Sequence, residues 1–307
     1  MNELERPSVL EANLIYFFLG MGLFLLGSLV QSREIYSGLL ITEYIIILLP
    51  NILYLKIRGY SLKHTLRLNR LSLKQGLYIA LIILFTYPIA VFLNSIVIFI
   101  LNSIGNVVPS PLPIPDEPKT YLLSLFVIAL SPGICEEIMF RGTIMRAYEN
   151  MGTKRAIIYS ALLFGIFHLN LQNLIGPSFL GLILAIIVYK TDSIYASILG
   201  HTLSNGIAMT ISYFAGKIQG QLQEVPTDVV PDKTQMTILL IGMGTIAYIS
   251  ALVLTKLLKK LPQSPRSMLG ERQTGRRKRV KLSDFTPLVF IILLFILINV
   301  KFLFLKE

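Results

Sequence analysis

Residues 120–145 read TYLLSLFVIALSPGICEEIMFRGTIM. An apolar run long enough to span a bilayer ends in two adjacent carboxylates, Glu136 and Glu137, followed by Arg141. Three ionisable groups are expensive to place in hydrocarbon. At membrane depth such groups face a cavity, pair with one another and carry function. Whether this run spans a membrane decides both the fold class and the meaning of its charges.

Composition settles the first point. The 307-residue chain is 54% hydrophobic and only 15% charged, against about 25% charged residues in an ordinary soluble domain. Its mean hydropathy is +0.68. The apolar runs are long, as helices crossing a bilayer require, and the short alternating segments of a barrel are absent. The expected fold class is therefore all-α, a polytopic helical membrane protein with spans at 12–30, 38–55, 76–101, 120–145, 155–170, 174–189, 194–214, 236–258 and 286–304. Pro50 and Pro88 fall inside two of these spans and predict kinks. The first apolar stretch, Leu14 to Val30, lacks a small-residue cleavage site and reads as a retained helix. A single cysteine, Cys135, permits neither an internal disulfide nor a cysteine zinc site.

The loops alternate in charge. The 56–75 loop carries Lys56, Arg58, Lys63, Arg67, Arg70 and Lys74 with no acid, and the 146–155 and 259–285 loops are also basic. The 102–119 and 215–235 loops instead hold Asp116 and Glu117, and Glu224, Asp228 and Asp232. Lysine and arginine collect on the cytoplasmic side. That predicts a cytoplasmic N-terminus, an outside C-terminus and, in a chain of bacterial style, residence in the plasma membrane. The same rule explains the net charge of +11. The run Arg276-Arg277-Lys278-Arg279 suits anionic lipid head groups, and no aromatic interleaving or fold motif points to nucleic acid. The chain divides into an N-terminal transmembrane region (1–119), a core (120–215) and a C-terminal region with a basic loop (216–307).

Two of the three histidines lie within spans. His168 ends the stretch Phe164-Gly165-Ile166-Phe167-His168, and His201 opens His201-Thr202-Leu203-Ser204-Asn205. His64 sits in a basic loop and reads as solvated. Helical geometry places i and i+4 on one face. Glu137 can therefore pair with Arg141, leaving Glu136 free about 100° away, while His201 and Asn205 share a face. Counted from the cytoplasmic ends of their spans, Glu136 lies roughly 15 Å deep, His201 roughly 11 Å, Asn205 roughly 17 Å and His168 roughly 20 Å. These depths predict one site, opening toward the cytoplasm. Ser131-Pro132-Gly133 would break the helix beside it and admit water. A buried strut requires only Glu137 and Arg141; the other four residues call for chemistry.

Glu136 and His168 can activate a water as general bases, and His201 and Asn205 can donate to a developing oxyanion. Such a set supports hydrolysis of an amide within the membrane without a serine or cysteine nucleophile. Cys135 reads as packing. The rival chemistry is a metalloprotease, in which Glu136, His168 and His201 would ligate Zn²⁺ and leave a position for water. The helix-borne H-E-x-x-H arrangement is absent. Both alternatives stay open at this level, with no cofactor favoured.

The ordered trio Glu136-Glu137…Arg141, Phe164…His168 and His201…Asn205 resembles the CAAX prenyl protease and Abi (CPBP) family of intramembrane proteases, whose pattern is EExxxR, FxxxH and HxxxN on separate helices. Gly142 after the arginine also fits. The resemblance covers roughly 120–215. It implies an intramembrane endopeptidase in which Glu136 and His168 activate water, His201 and Asn205 form the oxyanion site, and Glu137 and Arg141 support the site. It also implies a peptide or membrane-associated protein as substrate, with prenylated CAAX proteins as one substrate class. Some family members act as non-catalytic scaffolds or bacteriocin-immunity factors, which is the alternative reading. A transporter with a proton relay is a third, disfavoured because no inverted repeat is visible.

Overall fold

A computed structural model describes residues 6–105, 107, 112–221, 233–265 and 278–304. Glu224, Asp228, Asp232, Arg276 and Arg277, named above for their loops, lie outside the described residues. The chain is an all-α helical membrane protein. Seven of its helices are long and apolar enough to cross a membrane: α1 (Val9–Arg33), α2 (Ile35–Ile57), α3 (Leu73–Ile104), α4 (Pro118–Met151), α6 (Leu171–Thr191), α8 (Thr234–Lys260) and α9 (Leu282–Phe304). Between them come α5 (Thr153–Phe167) and α7 (Ile194–Gln221). Helices occupy most of each of the nine stretches expected as spans, but the expected span 155–170 stops at Phe167, and these two helices fall short of that measure. α5 has only 15 residues, and α7 is diluted by His201, Thr202, Ser204 and Asn205.

Local sequence sets the helix starts. Ser8 and Glu11 form a capping box at the head of α1, and Ser72 and Gln75 form one at the head of α3, each satisfying two otherwise orphaned backbone N–H groups. Glu34 adopts an extended conformation between α1 and α2 and caps α2 through Tyr36 N and Ser37 N. Proline acts differently from a simple break. Pro50 and Pro132 each follow a π-helical stretch, Ile41–Leu48 and Leu125–Leu130. A wider turn accommodates a ring that would otherwise press on the preceding carbonyl. The break expected at Ser131-Pro132-Gly133 is thus a π segment inside a continuous helix, and a second π stretch, Ile138–Ile144, follows the acidic pair.

α4 is the most buried of the seven long helices and α8 the least. Two apolar cores flank the centre. One joins α1, α4, α5 and α9 through Tyr16, Phe140, Phe164, Phe167 and Ile291. The other joins α3, α6, α7 and α8 through Ile79, Ile83, Leu184 and Leu254. The outer faces of α8 and α9 expose Leu239, Ile241, Tyr248, Phe290 and Leu297, as helices solvated by lipid do. At one end of the bundle the basic 58–72 loop meets the α6–α7 turn, where Ser193 Oγ donates to Asn69 O at 2.6 Å. At that same end Asn150 Nδ2 donates to Pro7 O at 3.1 Å. The starts of α1, α5 and α7 and the end of α4 therefore lie together there.

Candidate active site

The site forms where α4 and α7 approach closely. A Cβ on Gly133 would fall 2.3 Å from Thr202 Oγ1 and 3.1 Å from Thr202 N. Only glycine lets the two backbones come so near, and that approach brings the polar positions of α7 against those of α4. Pro132 supplies a second reason for the pairing. It lacks the N–H that an α-helical ladder would direct to Ile128 O, and Asn205 Nδ2 donates to that carbonyl at 3.1 Å. Asn205 thus has a structural task as well as the role expected from sequence.

Glu137 and Arg141 pair as their spacing requires, with Arg141 Nη1 donating to Glu137 Oε1 at 2.8 Å and both side chains fully buried. Two further contacts link this pair to the rest of the bundle. Arg141 Nη2 donates to Gly181 O of α6 at 2.9 Å, and His201 Nδ1 lies 3.0 Å from Glu137 Oε1. A carboxylate oxygen accepts, so Nδ1 of His201 carries the proton and Nε2 is the ring atom left for other partners. Glu137 therefore orients a histidine in addition to bracing the arginine.

His168 caps the C-terminal end of α5. Its Nδ1 lies 2.9 Å from Phe164 O, and because a carbonyl only accepts, the Nδ1–H tautomer is fixed and Nε2 is a free acceptor. A close approach of α5 and α6 makes room for this end of the helix: a Cβ on Gly165 would fall 2.5 Å from Leu174 O. Phe164 is the hub of the site. Its ring meets His168 edge-on at 5.3 Å and His201 at 5.4 Å between centroids, and the Arg141 guanidinium lies 4.8 Å from its centroid.

Glu136 stands apart from this network. It is buried, its Oε2 has no hydrogen-bond partner, and no hydrogen bond joins it to His168 among the described residues. Sequence reasoning missed its neighbour Glu43. This acid lies in the π stretch of α2, which packs against Ser131–Glu137, and its carboxyl is within electrostatic reach of Glu136. The signal was available, since Glu43 is the only charged residue in the 38–55 span and falls under the same rule that drew attention to Glu136.

His168 also lines a cavity of about 470 Å³, with Leu23 and Phe24 of α1, Leu101 of α3, and Ile298 and Phe302 of α9. Leu101, Ile298 and Phe302 lie toward the ends of α3 and α9 that are remote from the basic 58–72 loop. α5 runs away from that loop and His168 is its last turn, so this cavity lies opposite the side on which sequence predicts an opening. His64 departs from expectation as well. It is half-buried rather than solvated, and Arg146 Nη2 lies 3.1 Å from its Nε2. No three His, Cys, Asp or Glu side chains among the described residues are grouped so as to hold a metal ion.

Residues 118–207 match a family model described as type II CAAX prenyl endopeptidase Rce1-like. No curated protein and no solved structure matches the chain. The matched segment runs from the start of α4 into α7 and contains all three motifs. Over the segment 118–207, which carries the site, the chain is therefore similar to the type II CAAX prenyl endopeptidases.

Proposed function

We propose that the protein is an intramembrane endopeptidase that hydrolyses a peptide bond of a membrane-associated protein or peptide. Glu136 and His168 activate the attacking water, and His201 and Asn205 stabilise the oxyanion. The observation that carries this reading is the state of the two imidazoles. Each has Nδ1 committed to a fixed acceptor, Phe164 O or Glu137 Oε1, and each presents Nε2. Nε2 of His168 is then a lone pair suited to accept a proton from water. Nε2 of His201 can donate to an oxyanion when the ring carries both protons, with Glu137 balancing the charge. Asn205, four residues on, donates one amide N–H to Ile128 O and carries a second for the oxyanion.

The reaction proceeds as follows. Water attacks the carbonyl carbon and yields a proton to the Glu136–His168 pair. The C–N bond then breaks, and that proton passes to the leaving nitrogen. The products are a carboxylic acid and an amine, and no metal or covalent intermediate takes part. The test uses purified full-length protein and a peptide library, prenylated and unprenylated, with and without a chelator. Glu136→Ala and His168→Ala should each abolish cleavage, and undiminished cleavage by either variant would refute the assignment. Cleavage that persists in chelator supports the glutamate mechanism over the metal one.

A further inference from the structure

Glu43 is an acid in the middle of a helix that is otherwise apolar from Leu39 to Leu49 apart from Thr42 and Tyr44. It is only 5% exposed, and its Oε2 has no hydrogen-bond partner. A buried carboxyl without a partner costs stability, and a helix that spans lipid has no structural use for it. Two local features bring it to Glu136. The π stretch Ile41–Leu48 is a departure from α-helical geometry of a kind often found at functional sites. It packs against Ser131–Glu137 of α4, where Glu136 has an equally unpartnered Oε2. Two acceptor oxygens with no donor, on helices in contact, suit a small molecule that carries two O–H donors.

Building on the endopeptidase reading, we propose that Glu43 is a further residue of the active site, holding the attacking water jointly with Glu136. One water O–H points to the Glu136–His168 pair, which takes the proton as the oxygen attacks. The other O–H is held by Glu43, which fixes the direction of attack and is unchanged at the end of the cycle. The proton taken by that pair leaves with the amine, so atoms and charge balance without any role for Cys135.

The test compares Glu43→Leu and Glu43→Gln with wild-type protein and with Glu136→Ala, using the same peptide library and thermal unfolding in detergent. Leucine fills the site without a polar atom. Its variant should unfold at a temperature equal to or above that of wild type, while kcat falls about 100-fold with little change in KM. Glutamine keeps an acceptor oxygen and should recover part of the rate. Wild-type kcat in Glu43→Leu overturns the proposal, and so does a lowered unfolding temperature, which marks Glu43 as structural; the second readout requires no substrate. If Glu136→Ala also retains activity, the reading of the whole site fails. Loss in Glu136→Ala without loss in Glu43→Leu overturns the role of Glu43 alone.

Discussion

Two groups of buried charge hold this bundle together, and they are composed in opposite senses. At the basic-loop end, Glu149 accepts from Arg67, Arg146 and Arg6, and Asp192 accepts from Arg67 Nε at 3.0 Å and Asn69 Nδ2 at 2.9 Å. Each oxygen of the two carboxylates has a donor, and guanidinium groups are in excess. Around Glu136 and Glu137 the balance is reversed. Glu43, Glu136 and Glu137 face one guanidinium, Arg141, and Oε2 of all three is left without a donor. A group whose acceptors are all filled is a fastener. One that keeps unfilled acceptors in a buried place is poised for a ligand, and it retains them at the expense of stability.

The widest separation between the two groups should come from deleting one partner of each. Arg141→Leu leaves Glu137 buried with only His201, and Glu149→Leu leaves three guanidinium groups without their shared acid. Both should destabilise the protein by about 3–5 kcal/mol, as broken buried pairs do, measured by thermal unfolding in detergent. Their activities should differ. Per folded molecule, Glu149→Leu should keep the wild-type KM and kcat, whereas Arg141→Leu should be inactive because the acid that orients His201 is no longer held. Equal loss of activity in both would show that the two groups are a single unit.

A finer test lies inside the site. Asn205→Ala leaves Ile128 O without its side-chain donor, a loss of about 1–3 kcal/mol, and should lower kcat about 100-fold if Asn205 also serves the oxyanion. Pro132→Ala returns an N–H to position 132. In the double variant Pro132→Ala/Asn205→Ala the helix can satisfy its own carbonyl, so stability should recover while activity does not. Recovery of both would reduce Asn205 to a helix–helix clamp.

How much of this could be read from sequence depends on the range of the contact. The Glu137–Arg141 pair and the shared face of His201 and Asn205 follow from four-residue spacing within one helix, and the helices themselves follow from apolar runs. The link from Glu137 to His201 joins residues 64 apart, and that from Arg141 to Gly181 spans 40. No periodicity carries either. The π stretches were also hidden, because Pro50 and Pro132 mark only that a helix must adjust and not how. Glu43 was legible as an anomaly but lay outside the motif trio. His64, Arg67 and Arg146 looked like solvated topology signals because positive charge near a span has that ordinary meaning. Arg146 meets Glu149 three residues on in its own helix, but Arg67 reaches Glu149 and Asp192 from a distant loop, which the local sequence does not reveal.

The smallest predicted effect belongs to the basic-loop group and sharpens its description as a fastener. Burial first, and then the charges of Arg146, Arg6 and Arg67, hold the His64 imidazole below its ordinary pKa, with Asp192 opposing them in part. The folded state thus prefers the neutral ring, consistent with Nε2 as acceptor for Arg146 Nη2. The unfolded chain binds a proton at a higher pH than the folded chain does. Stability from this group is therefore complete above the ordinary imidazole range and is lost as pH falls through it toward the depressed folded value. Thermal unfolding in detergent should show a decline below about pH 6.5 that flattens in His64→Gln, where nothing titrates. Because His64 touches the fastener and not the site, kcat should follow the same pH curve in the variant as in wild type. A shift in that curve would mean that the two charge groups communicate.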